Sequence, residues 1–167
     1  MAATTKVPLG AATTNRKWFL DVEGATADSW LGVFGITEFK DTLEASMQDD
    51  SDFDGEGWLS EVNTANRWKI EGKCIRKTLQ DTPTAYDPGQ EKIRLAAGNT
   101  GVENVLKIRW YEMEPGGPRV EAYEGYAAVS WSPDGGNTEA VSSASFVLSG
   151  RGKRNPITHP AEEGAGV

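Results

Sequence analysis

The chain has 167 residues, a length that favours one domain. Its 17 Lys and Arg stand against 25 Asp and Glu, a formal charge of -8. That balance argues against stable binding of free nucleic acid, whose phosphates are held mainly by Lys and Arg, and it is consistent equally with ordinary solubility and with a surface that DNA slides past.

In chain order, residues 1–16 are Ala-, Thr-, Gly-, Pro- and Lys-containing, with AATT at Ala2–Thr5 and again at Ala11–Thr14. They predict a flexible N-terminal arm, or one that orders only on assembly. No continuous apolar stretch of the signal-peptide kind occurs there, so the expectation is folding in a cytosol. Lys17–Val22 predicts a first strand and Trp30–Phe34 a second short apolar piece. Thr37–Met47 then places Phe39, Leu43, Ala45 and Met47 on one parity, and Trp68–Cys74 does the same for Trp68, Ile70 and Cys74 with Gly72 between. These are the arms of a long hairpin. About 20 residues with few apolar groups separate them, a length of loop that is usually functional or disordered. Cys74, the one cysteine, rules out an internal disulfide and a multi-cysteine zinc site and predicts a small core residue.

Asp87, Pro88 and Gln90 form a helix start, with Asp87 as N-cap and Gln90 at the capping-box position. Ile93, Ala96 and Ala97 share one face and Gly98-Asn99 is the stop, which gives one helix over Pro88–Ala97. Three strands follow: Asn104–Glu114, with Leu106, Ile108 and Trp110 inward; Arg119–Trp131, with Gly125 as a bulge; and Glu139–Ser149 after the turn Ser132–Asn137. Residues 151–167 predict a C-terminal tail, which contains the one histidine, His159. One histidine rules out a multi-histidine metal site and the usual Ser-His-Asp arrangement. No apolar run nears the roughly 20 residues that span a bilayer, and no membrane role is expected. The fold class expected is mainly β: an antiparallel sandwich or barrel-like domain over residues 17–150, one flanking α-helix and a protruding hairpin loop. Six Trp and four Tyr around a core thin in Leu, Ile, Val and Phe (roughly 19% of the chain) predict burial shared with neighbouring subunits.

Two clusters carry chemistry worth weighing. Asp50, Asp52, Asp54, Gly55 and Glu61 fit the calcium-loop pattern D-x-[DN]-x-[DN]-G-x5-E. Position eight is Gly57, and the following arm alternates like a strand where that motif needs a helix, so a solvated acidic loop tip is the competing reading. Asp49 with the same aspartates could be imagined as paired acid/base carboxylates, but such a pair needs one partly buried member. Arg151, Lys153 and Arg154 form a small basic cluster suited to an acidic neighbour or to nucleic acid. No phosphate loop or nucleophile elbow occurs, so no catalytic residues and no cofactor are expected, and an enzyme is the least favoured class.

The order of these elements resembles the major tail (tail tube) proteins of long-tailed bacteriophages. The resemblance rests on Trp18–Val22, Trp30–Ile36 leading into Thr37-Glu38-Phe39, the acidic span Asp49–Gly57, the return strand Arg67–Lys73, the helix Pro88–Ala97 and the closing hairpin around Trp131–Asn137. It covers Lys17 to Gly150. It implies a homo-oligomer, with six copies closing into a ring by edge-to-edge sheets and rings stacking into a tube. It also implies other tail proteins as partners, transient non-specific passage of DNA through an acidic lumen, and location in the virion tail after assembly in the host cytoplasm. The loop from Met47 to Asn66 would pack on the next ring. Asp50, Asp52, Phe53, Asp54 and Trp58 are the expected subunit contact, with Phe53 and Trp58 as apolar anchors. Two alternatives stay open beside it: a monomeric calcium-binding module using Asp50–Glu61, and a secreted β-sandwich binding domain.

Overall fold

A computed structural model describes residues 1–162. Seven strands, β1 (Trp18–Glu23), β2 (Trp30–Gly32), β3 (Ile36–Asp49), β4 (Glu61–Ile75), β5 (Val105–Glu112), β6 (Ala122–Pro133) and β7 (Ser143–Pro156), form one antiparallel sheet. Their order is β2-β1-β5-β6-β7-β4-β3, with one helix, α1 (Pro88–Ala97), between β4 and β5. The expected mainly-β class with a single helix and a long hairpin is what the chain adopts.

The sheet does not stay flat. Trp18 of β1 stacks on Phe39 of β3 at 5.4 Å, although the two strands lie near opposite ends of the order. Trp110 of β5 donates to Asp41 of β3 at 3.0 Å and sits 4.9 Å from Trp68 of β4. The sheet therefore curls over a shared interior into a partly open barrel, as a right-twisted sheet of this many strands tends to do. Inside lie Leu20, Val22, Ile70, Ile108, Trp110, Phe146 and Leu148, all essentially without solvent contact. The inward parity of β5 is the one its alternation predicts. On β4, Trp68, Ile70, Gly72 and Cys74 all point inward. Gly72 breaks the apolar pattern because the Phe146 ring of β7 occupies its side-chain space, where a Cβ would stand 2.5 Å from it.

Helix α1 begins and ends where its signals place it, and the Asp87 carboxylate accepts from the Gln90 N–H at 3.0 Å. The capping-box role for Gln90 is corrected. Its side chain, 1% exposed, donates instead to the carbonyls of Phe34 and Ile75 and accepts from Arg76, tying the helix to the β2–β3 connection and to the end of β4.

Three boundaries differ from the alternation. The hairpin arms are longer than predicted, pairing from Ile36↔Cys74 to Asp49↔Glu61 with register shifts after Ile36 and after Ser46. Nearly half of the expected loop is thus strand, and residues 50–60 remain as the turn. The last strand starts at Ser143, because Asp134 accepts from the hydroxyls of Ser143 and Ser145 at 2.6 and 2.7 Å and holds 134–142 as a loop. It also runs on to Pro156, so Arg151, Lys153 and Arg154 lie in the sheet rather than in a tail. His159 folds back as well: it is 4% exposed, its Nε2 lies 2.8 Å from the Glu112 carbonyl, and its ring meets Tyr111 edge-on. Residues 1–14 are exposed and carry no helix or strand. No described helix is long and apolar enough to cross a membrane.

Candidate assembly surface

The outer half of the β3–β4 hairpin is the part of the molecule that its own core does not explain. β4 pairs with β7 only over Lys69–Ile75. Residues 61–67 of β4 and 44–49 of β3 are exposed on both faces. They form a two-stranded ribbon, an arrangement of marginal stability in water by itself. Its twist is raised near the tip by a bulge at Thr64, which lies between the pairs Met47↔Asn63 and Ser46↔Ala65.

The tip is ordered by its own polar groups. Ser51 receives the Ser60 N–H at 2.8 Å, and the Asp50 N–H reaches the Ser60 carbonyl at 3.0 Å. The Ser51 side chain and its backbone N–H hold the Asp49 carboxyl below its ordinary range. Asp52 caps a 3-10 turn, Phe53–Gly55, by accepting from the Asp54 N–H at 3.1 Å. These bonds leave Asp50, Asp52, Asp54 and Glu61 in solvent and push the apolar side chains outward. Phe53 is fully exposed, Trp58 is 81% exposed and Leu59 85%. Met47 and Val62 extend this apolar surface down the ribbon. All five residues expected to make a subunit contact thus share one exposed tip.

The same loop is flanked by strands on both sides, not by the helices of a helix–loop–helix calcium site. Among the described residues no group of three or more His, Cys, Asp or Glu side chains is placed to hold a metal ion.

Buried carboxylates elsewhere are committed to structural bonds. Asp21 accepts from Arg109 at 2.8 Å and from the Tyr111 hydroxyl at 3.0 Å. Burial first, then the Asp21 charge, pushes the Tyr111 phenol up to about 12. Glu112 accepts from the N–H groups of Val120 and Glu121 and from Lys17. Residues that sequence reasoning missed lie at the root of the ribbon, where Arg67 of β4 comes beside Lys153 and Arg154 of β7. The basic cluster is visible in the sequence. Its meeting with Arg67 is not, because it follows from pairing between strands far apart in the chain.

No protein-family model matches the chain and no curated protein matches its sequence. Among solved structures the chain is similar to a chain in the virion of a native gene transfer agent particle, with TM-score 0.63 and 11% identity over 88% of this chain and 100% of that one. It is also similar to a chain in the tail of an empty gene transfer agent particle with C6 symmetry, with TM-score 0.62 and 12% identity over the same shares. At these identities the likeness is one of fold.

Proposed function

We propose that this chain is a structural subunit of a phage-like tail, one that self-assembles into stacked, sixfold rings forming a tube for DNA. The observation that carries this reading is the ribbon beyond Trp68. It presents Phe53, Trp58 and Leu59 to solvent at the end of a two-stranded arm with no core of its own. A ribbon of this kind gains stability by lying on another molecule, and its exposed aromatics are the residue types that dominate contact energies. The fold shared with chains of a gene transfer agent virion and of a C6-symmetric tail supports the same reading, as does the acidic balance of -8. Like charge on a lumen wall would keep phosphates from being held. The role is mechanical rather than catalytic, with other tail proteins as partners, in the virion tail after assembly in the host cytoplasm.

The double substitution Phe53→Ala with Trp58→Ala tests it. Neither side chain touches the core, so the variant should fold with an unchanged thermal melt and fail to elongate. Tubes of wild-type length from that variant would refute the role given to the tip.

A further inference from the structure

The sheet forks at Trp68. β4 leaves β7 there and continues as Glu61–Arg67 on β3 alone, while β7 continues as Gly150–Pro156 on β6 alone. The Trp68 indole is the wedge. It is 3% exposed, and its Nε1 donates to the Gly152 carbonyl at 2.9 Å. The ring lies so close over Gly150 that a Cβ there would stand 2.3 Å from it. Between the two ribbons is a cleft of about 570 Å³ lined by Leu43, Arg67, Trp68, Gly152, Lys153 and Arg154. Each wall is a strand edge whose backbone groups on that side have no ladder partner among the described residues, although Trp68 takes the Gly152 carbonyl, and such an edge can take up another chain. Arg154 is engaged by Asp41 at 3.2 Å. Arg67 and Lys153 are exposed and have no ion-pair partner among the described residues. Glu44 stands opposite Arg67 in the ladder, so against Asp41 and Glu44 the three basic groups leave a small local excess of positive charge beside a half-exposed Leu43 and the Trp68 floor.

We infer that this cleft receives the acidic hairpin tip of a second copy of the chain. The tip offers Asp49, Asp50, Asp52 and Asp54 around Phe53 and Trp58, which is the complement of Arg67 and Lys153 around Leu43 and Trp68. Tip and cleft are different surfaces at the two ends of one ribbon. A contact between them is therefore head-to-tail and repeats instead of closing on two copies. The seven residues Glu61–Arg67 set the offset between tip and cleft at about 23 Å, from 3.3 Å per strand residue. The inference rests on the self-assembly reading in taking a second copy as the occupant.

The test is a mixed oxidation of two full-length variants, Leu59→Cys at the tip and Asn66→Cys in the cleft wall. Both positions are exposed, and neither substitution removes a charge. Cys74 is fully buried with its thiol pushed up to about 11, which keeps it out of the reaction. The expected product is a disulfide-linked pair of unlike chains, in clear excess over either pair of like chains. Adding Arg67→Glu and Lys153→Glu to the Asn66→Cys chain should lower its yield at least about tenfold, because opposed charges become like charges. Melting curves of each variant confirm that the chains are folded. Unlike pairs no more frequent than like pairs, or a yield indifferent to the charge reversal, would overturn the inference. Rings or tubes under the microscope without this crosslink would overturn the cleft as receptor and leave the subunit reading standing. The crosslink in a protein that forms no rings or tubes would do the reverse, and the absence of both would sink both.

Discussion

Glu112 shows how a buried acid ties the stability of this fold to pH. Its carboxylate is 3% exposed as a residue, and burial alone opposes its ionisation. The N–H groups of Glu121 and Val120 and the Lys17 ammonium outweigh that and hold its pKa below the ordinary 4.5. A depressed carboxyl stabilises the fold above its unfolded pKa, and that contribution is lost as pH falls through the folded value. Glu112→Gln should therefore cost about 1–3 kcal/mol at neutral pH, with the gap to wild type closing at acid pH, below the ordinary 4.5. Urea titrations at both pH values check it, and an equal gap at both would contradict it. Trp68 is the second residue on which much depends, since it fills the fork and packs on Trp110. Trp68→Ala should lower stability by about 3–5 kcal/mol in the same assay. At the tip, the outward carboxylates lead to a third expectation: calorimetry should find no sub-millimolar calcium binding, and a signal that Glu61→Gln abolishes would restore the calcium-module reading. Residue roles were only partly legible in the sequence. The Asp87 cap was, because capping is local in the chain. Gln90 was not, because its partners Phe34, in the β2–β3 connection, and Ile75, at the end of β4, are brought beside the helix only by the folded sheet.

At the scale of elements, alternation marked the strands that pack on the core, and it also marked the outer end of β3, where Leu43, Ala45 and Met47 share a parity yet face solvent. β5 and the inner part of β4 alternate because one face of each is buried. The outer ribbon has no buried face, so no alternation marked 61–66 as strand, although it pairs with β3 throughout apart from the bulge at Thr64. The same holds for residues 150–156 of β7, whose polar side chains sit over solvent while their backbone completes β6. The ribbon's independence of the core leads to a prediction. Ser46 and Ala65 are paired, so joining them through an Asn-Gly turn in place of residues 47–64 should leave a folded domain. Its unfolding free energy should stay within about 0.5 kcal/mol of wild type, as for changes away from packed features, and its assembly should be lost. A large loss of stability would mean that the ribbon belongs to the fold and not to an interface.

For the whole molecule, the architecture separates a well-packed body from surfaces that face outward. The curled sheet buries Trp68 and Trp110 against each other across strands distant in the order, while the ribbon, the tip and residues 1–14 stay in solvent. The class of fold was legible in the sequence because it depends on local alternation and one well-capped helix. The candidate surface was legible at its tip, as an acidic run with two stray aromatics. The cleft that complements it was not, because it arises only where two ribbons diverge. The most direct test of the subunit role is negative-stain electron microscopy of the purified protein over a concentration series, with light scattering alongside. The account predicts rings or tubes whose length grows with concentration. A protein that stays monomeric across the series, with its apolar tip still exposed, would contradict it.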